Sequence, residues 1–251
     1  MTAAHGDAGS WRVVFNRDES PHRPPASPPI VVNSPGGAAV MPIDTPSGGT
    51  WLAATAAGLV VAIINRTSAR AAGRGERAAP VALSRGVIIP GLVQWMSVAE
   101  VLRAAGGLPM HQFNPFRLIV LTRNQWGHLV GDARRVRVWQ GGWDGRPLLW
   151  TSSGLGDRLV HGPRRRLFRQ WREQGPWSPQ RQDAFHAHRW PDHPERSVLM
   201  DRGLARTVSV TSVTVTPHRV TMQYRARDAD DASELTLPRA RALSTQGVSS
   251  A

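Results

Sequence analysis

The chain has 251 residues, of which 41% are hydrophobic, and a formal net charge of +13. A chain of this length and apolar content can bury a core of ordinary size, which excludes a wholly disordered protein and fits one large domain. It contains no cysteine, which excludes disulfides, thiolate metal sites and a cysteine nucleophile within these residues.

The positive charge would ordinarily suggest an anionic partner. All 31 basic residues are arginine, however, which is typical of a bias in composition rather than of a surface selected to bind phosphate. We therefore keep nucleic acid only as a minor alternative to a small-molecule substrate or ligand. The longest apolar run, Trp51–Ile64, is too short to span a bilayer, and residues 1–11 lack the pattern of a signal peptide. These features, with the missing cysteine, favour a cytoplasmic protein.

The chain begins with two predicted strands. Thr2–His5 can form a short strand, and Trp11–Phe15 is a β-rich run that ends at Asn16-Arg17-Asp18-Glu19. Residues 20–37 are rich in proline, which predicts an irregular surface loop. Residues 47–64 then predict a hairpin whose second strand is apolar on both faces and therefore lies between layers.

The middle of the chain mixes helix and strand. Arg66–Ala79 lacks apolar periodicity and is predicted to be a mobile loop, whereas Ser84-Arg85-Gly86 opens a helical region. Within that region, Ser97–Glu100 is a capping box and Gly106-Gly107 ends the helix. Four runs then predict strands: Phe116–Leu121, Trp126–Val130, Val136–Trp139 and Leu148–Thr151.

The last third contains a helix and a long hairpin. Arg164–Glu173 is predicted to be helical, with a buried apolar stripe and its arginines on a solvated face. Residues 174–195 are predicted to be a loop. Its histidines and Asp192 could ligate a metal by residue type, but their spacing is irregular, so we expect no metal or cofactor. Arg206–Thr216 should form a hairpin with Val220–Tyr224.

The order of elements indicates an α+β layered protein, because two clusters of strands are separated by two helical regions. We predict one domain over residues 1–227. Residues 228–251 are acidic, then rich in serine and alanine, which predicts a disordered C-terminal tail.

Five motifs, in a fixed order, resemble the NRDE family, the group that includes the transport and Golgi organisation protein 2. The first is the strand that runs into Asn16-Arg17-Asp18-Glu19 and its Arg/Pro loop. One such tetrapeptide could occur by chance, but five motifs in order on matching elements could not. The other four are Gly48-Gly49-Thr50-Trp51-Leu52 with its hairpin ending at Asn65-Arg66, Ser84-Arg85-Gly86, Asn114 between Phe113 and Phe116, and Arg206-Thr207-Val208-Ser209.

The resemblance implies an N-terminal-nucleophile (Ntn) hydrolase-like fold, a four-layer αββα sandwich of two packed, largely antiparallel sheets. In such enzymes the first residue of the mature chain attacks the substrate, and its own α-amine acts as the general base. By position, Arg17 and Asp18 would orient the nucleophile, Asn65 or Asn114 would stabilise the oxyanion, and Arg206 would match the arginine of a later strand.

The nucleophile departs from the family pattern, because the family begins Met-Cys and this chain begins Met1-Thr2. Three explanations stay open. The first is that Thr2 acts as the nucleophile once Met1 is removed. The second is that the site is degenerate, and the third is that the start of the chain is misassigned, so that the family cysteine is missing.

The remaining motif residues are candidates to line a substrate site: Asn16, Glu19, Gly48, Gly49 and Trp51. The two glycines are equally explained by a backbone turn, and Trp51 by a place in the core or a pocket wall. The first functional hypothesis is an amidohydrolase that cleaves a small amide or ester bond. The second is a non-catalytic protein that handles a small molecule or lipid, and the third is an arginine-driven nucleic-acid binder.

Overall fold

Two antiparallel sheets pack face to face in the computed structural model, which describes residues 1–66, 83–132, 135–152 and 157–240. The first sheet has six strands, in the spatial order β10 (Leu148–Leu149), β1 (Thr2–His5), β2 (Trp11–Glu19), β11 (Arg206–Val215), β12 (Arg219–Ala226) and β13 (Ser233–Pro238). The second has seven strands, in the order β3 (Ile30–Ser34), β4 (Gly37–Met41), β5 (Leu52–Thr55), β6 (Val60–Asn65), β7 (Phe116–Leu121), β8 (Gln125–Asp132) and β9 (Arg135–Gly142).

Helices cover the outer faces of both sheets. On the seven-stranded sheet lie α1 (Ile88–Leu92) and α2 (Val98–Gly106), which bury their apolar side chains against its strands. On the six-stranded sheet lie α3 (Asp157–Glu173) and α4 (Pro179–Ala187), joined by their own apolar cluster. The result is a four-layer αββα sandwich, as the family resemblance implies. No helix among the described residues is long and apolar enough to cross a membrane.

The core between the sheets follows from alternation along the strands. On β2, Trp11, Val13 and Phe15 point to the seven-stranded sheet and are buried there. Strand β6 is buried on both faces, because one set of its side chains joins this core and the other set packs against α1 and α2. Each such apolar side chain contributes roughly 1.5–3 kcal/mol through removal from water.

Most predicted elements are confirmed. The strand at Thr2–His5, the hairpin of β5 and β6, the four strands from Phe116 onward and the hairpin of β11 and β12 are all present. The capping box of α2 forms as predicted: the Ser97 hydroxyl accepts from the backbone N–H of Glu100, whose carboxylate accepts from the backbone of Ser97. Residues 67–79 of the predicted mobile loop and residues 241–251 of the predicted tail lie outside the described residues.

Three predictions of irregular chain are wrong in part. Within residues 20–37, the stretch between Pro29 and Pro35 carries no proline, so Ile30–Ser34 forms β3 and pairs with β4 across a turn at Pro35-Gly36. Within residues 174–195, Ser178 caps α4 by accepting from the N–H of Arg181. Within the predicted tail, Ser233–Pro238 forms β13 on β12, and its inward-facing Leu237 joins the core.

Candidate functional site

A cleft of about 730 Å³ opens between the two sheets beside the second half of β2. Strand β1 pairs with Trp11–Val14 of β2 and extends no further along it, because Thr2 lies opposite Val14. The end of β2, Asn16–Glu19, therefore pairs with β11 on one side and has no β1 neighbour on the other. The opposite wall comes from the end of β6, the loop before β5 and the turn around Arg85. The truncated pairing of β1 therefore leaves room for the cleft.

Two arginines on one side of the cleft share one carboxylate. Arg17 is 8% exposed, and its guanidinium donates to Asp44 Oδ1 at 2.6 Å and lies 4.4 Å from the centre of the Trp51 ring. The Arg23 Nε donates to the same oxygen at 2.8 Å, and the Ser47 hydroxyl donates to Oδ2. Desolvation raises the pKa of Asp44, but the hydrogen bonds from Arg23 and Ser47 and the charge of Arg17 outweigh it, so the pKa lies below its ordinary value.

Two further arginines in the cleft lack a carboxylate partner. Among the described residues, no carboxylate lies within 4 Å of Arg85 or Arg202. Arg85 donates to the Pro115 carbonyl at 3.1 Å. Burial lowers the pKa of Arg85, and the negative charge of Glu19 offsets only part of that shift. The Nε of Arg202 is buried and has no hydrogen-bond partner in the described part of the chain. In all, five arginines and three carboxylates line the cleft: Arg17, Arg23, Arg66, Arg85 and Arg202 against Asp18, Glu19 and Asp44.

At its inner end the cleft continues into a small cavity of about 40 Å³ that holds the Met1 α-amine. The amine donates to the Trp150 carbonyl at 2.9 Å. Burial, followed by the charge of Arg164, lowers its pKa to about 5, although Asp18 opposes the shift. Burial likewise raises the pKa of the Asp18 carboxyl, which accepts from the Thr207 hydroxyl at 2.6 Å. The unprotonated amine is therefore the form present at neutral pH.

The Thr2 hydroxyl lies on the other face of β1, under α4, and the residue has no exposed surface. Its oxygen is 2.9 Å from His186 Nε2 and accepts from Gln182 Nε2 at 2.8 Å. His186 Nδ1 in turn is 2.7 Å from Asn16 Oδ1. Because Asn16 Nδ2 donates to two backbone carbonyls, its Oδ1 must accept, so Nδ1 of the histidine carries the proton and Nε2 accepts from Thr2.

Most of the residues that the sequence nominates meet in the cleft. Seven of the eleven line it: Asn16, Arg17, Asp18, Glu19, Trp51, Asn65 and Asn114. Four do not: Thr2 is buried under α4, Arg206 pairs with Asp228, Gly48 forms a turn at φ +64°, and Gly49 lies against the backbone of Gly86. The catalytic and substrate-binding roles of all eleven stay predictions.

Several residues of the site are absent from the sequence-based candidates. Asp44 sits in the Ile43-Asp44-Thr45-Pro46 turn, and no local pattern distinguishes it from an ordinary turn residue. Arg85 lies inside the Ser84-Arg85-Gly86 motif and could have been nominated from it. The sequence predicts that His186 lies in a solvated loop, and that prediction is wrong, because the residue lies on α4 and is 2% exposed. Among the described residues, no group of acidic side chains and histidines could hold a metal ion.

Comparisons with known proteins agree with this architecture. A Caenorhabditis elegans orthologue of N-acylethanolamine-hydrolyzing acid amidase superposes with a TM-score of 0.58 at 14% identity, over 84% of this chain and 90% of that chain. At this identity the likeness shows the fold, an Ntn-hydrolase-like one, and not the activity. A search of curated proteins finds no significant match. The family model described as Transport and Golgi organisation 2 matches residues 9–141. Because that match spans more than half of the chain, this protein belongs to the Transport and Golgi organisation 2 family.

Proposed function

We propose that this protein binds a small organic anion in the cleft between its sheets, as a non-catalytic ligand-binding member of its family. The observation that carries the proposal is Arg85, a half-buried guanidinium in the cleft wall with no carboxylate within 4 Å among the described residues. A partly desolvated charge without an anion in contact with it is unfavourable, and a bound anion would remove that cost.

The rest of the cleft fits the same class of ligand. Arg202, on the loop that lines the cleft, also lacks a carboxylate partner, so two guanidiniums are available for a carboxylate or phosphate. The amides of Asn65 and Asn114 can bond neutral polar groups, and Trp51 offers an apolar wall. A cleft of about 730 Å³ is in the size range of small-molecule sites.

To test this, the protein is titrated with benzoate, phenyl phosphate and the neutral benzamide. Binding is followed by the NMR chemical shifts of the backbone amides. We expect the two anions to shift resonances of the cleft and benzamide to leave them in place. Arg85→Ala should weaken anion binding by about tenfold or more, since hydrogen bonds to charged groups contribute roughly 1.5–3 kcal/mol. Arg103→Ala, an exposed arginine on α2, is the matched control and should bind as wild type. If neither anion perturbs the cleft, the proposal is wrong.

The second candidate is an Ntn-type hydrolase of a small amide or ester. It is favoured by the unprotonated α-amine beside Asp18 at the inner end of the cleft, because a general base must be unprotonated at working pH. After removal of Met1, the Thr2 amine would be the base, and the Thr2 hydroxyl would have to leave His186 and Gln182 to reach the cleft. Intact mass will show whether Met1 is removed. Hydrolysis of an acyl p-nitroanilide panel that Thr2→Ala abolishes would favour this candidate over simple binding.

A further inference from the structure

A separate cavity, of about 380 Å³, lies on the outer face of the six-stranded sheet, and we name it the outer groove. One wall is α4, which packs on β2, and the floor is formed by β11 and β12. None of the residues that line the outer groove lines the cleft between the sheets. The groove exists because α3 and α4 cover the β2 side of the sheet and leave side chains of β12, such as Gln223 and Arg225, exposed.

The floor of the outer groove is mostly apolar, although Ser212 and Gln223 also line it. The half-buried side chains of Leu199 and Val210 present hydrocarbon to the cavity. Ala226 lines the groove through its backbone, because its side chain packs against the core between the sheets. An apolar floor that is not covered by the protein favours a ligand with an apolar body, because contact removes both surfaces from water.

The rim of the outer groove is positively charged. Two of its four arginines are neutralised, since Arg12 pairs with Asp183 at 2.8 Å and Arg227 pairs with Asp201 at 2.9 Å. Arg189 and Arg225, its other two, are exposed and have no carboxylate within 4 Å in the part of the chain that the structure describes. The rim therefore carries two uncompensated positive charges beside an apolar floor.

We propose that the outer groove binds an amphipathic organic anion, such as a medium-chain carboxylate. Its hydrocarbon would lie on Leu199 and Val210, and its charged group would reach Arg189 and Arg225. Guanidiniums favour carboxylates because two parallel N–H donors match two oxygens. This site goes beyond the proposed function, because the groove and the cleft share no residue and neither needs the other.

The test is a titration with decanoate, and 1-decanol is the neutral probe of similar length. Calorimetry measures the affinity, and the NMR amide shifts of Leu199 and Ala226 report binding in the groove. We expect decanoate to bind and shift both amides, and the Arg189→Ala/Arg225→Ala double variant to bind about tenfold more weakly or worse. Arg219→Ala is the matched control. Arg219 is exposed on the same strand as Arg225 and faces the same side of the sheet, because the two are six residues apart. It does not line the groove. It should bind as wild type.

Three results would overturn the outer groove as an anion site. These are no shift of the two amides with decanoate, equal binding of 1-decanol, and an unchanged affinity in the double variant. Arg85→Ala separates the two proposals, since it should remove anion binding in the cleft and leave the groove shifts intact. Arg225→Gln serves as a milder second variant if the double variant loses its fold by circular dichroism.

Discussion

Arg17, on β2 of the six-stranded sheet, donates to Asp44, in the loop that joins β4 to β5 of the seven-stranded sheet, at 2.6 Å. This ion pair bridges the two sheets at the wall of the cleft, and both side chains are 9% exposed. Arg23 bonds the same carboxylate, so one buried aspartate holds two arginines in place. The pair therefore links the packing of the sheets to the shape of the candidate binding site.

Asp44→Asn should lower the free energy of unfolding by about 2 kcal/mol, because it removes the closer carboxylate of two arginines. Arg17 and Arg23 would keep only Glu19, whose Oε2 lies 3.9 Å and 3.7 Å from them. Denaturant titration at pH 7 measures the change. Asp144→Asn is the control, since Asp144 pairs with Arg146 on the surface and such pairs contribute about 0–1 kcal/mol. The folded pKa of Asp44 is below its ordinary value, so the pair stabilises the protein at neutral pH and is lost as pH falls through the folded pKa. The difference between wild type and Asp44→Asn should therefore shrink in acid, and a constant difference would contradict this account.

Thr2→Val should destabilise the protein by about 1–3 kcal/mol, because it leaves His186 Nε2 buried without a partner. Gln182 Nε2 would keep only its bond of 3.5 Å to the Arg12 carbonyl. Thr2→Ser keeps the hydroxyl and should recover most of that loss. Thr236→Val is the matched control: its hydroxyl bonds Thr221 on the exposed face of β13, where water can replace the bond. Melting temperatures of the three variants test the order. Equal losses in Thr2→Val and Thr236→Val would show that the buried network does not stabilise β1.

The sequence predicts strands better than it predicts this site. Runs of β-branched and aromatic residues identify β2 and β11, and the motif order predicts that Arg17 and Asn65 share one site; both line the cleft. The contacts that define the site are long-range, such as Thr2 with His186, and no local pattern encodes them. Helix α4 is missing from the sequence-based prediction because it is short and its apolar residues do not fall on one face. Its only sequence signal is the N-cap residue Ser178.

His128 should make the protein less stable between about pH 6.5 and pH 4. Burial, followed by the charge of Arg117, lowers its pKa to about 4, and its Nε2 has no hydrogen-bond partner in the described part of the chain. In that pH window the unfolded chain binds the proton and the folded one does not, so stability falls on acidification. His128→Phe, which keeps a ring beside Trp139, should lose less stability than wild type between pH 7.5 and pH 4.5.

Chemical denaturation at both pH values gives the comparison. His186, whose pKa burial also lowers well below 6.5, remains in the variant, so some acid dependence should persist. An identical pH dependence in wild type and His128→Phe would exclude the role of His128.

Gly49→Ala should disturb the cleft more than Gly48→Ala, although the two residues are neighbours in one motif. A Cβ on Gly49 would lie 2.3 Å from the backbone carbon of Gly86, whereas a Cβ on Gly48 meets no atom within 4 Å. The cost at Gly48 is its φ of +64°, about 1–2 kcal/mol for a residue with a Cβ. At Gly49 the whole turn that carries Arg85 must move, because the Thr50 N–H donates to the Gly86 carbonyl at 2.9 Å.

Anion titration distinguishes the two glycine variants where stability alone would not. Both should lose stability, but only Gly49→Ala should weaken benzoate binding in the cleft, since only it displaces Arg85. This close approach explains why the Gly48-Gly49-Thr50-Trp51 and Ser84-Arg85-Gly86 motifs occur together: their backbones pack directly against each other. Unchanged benzoate affinity in Gly49→Ala would mean that the contact stabilises the fold without positioning Arg85.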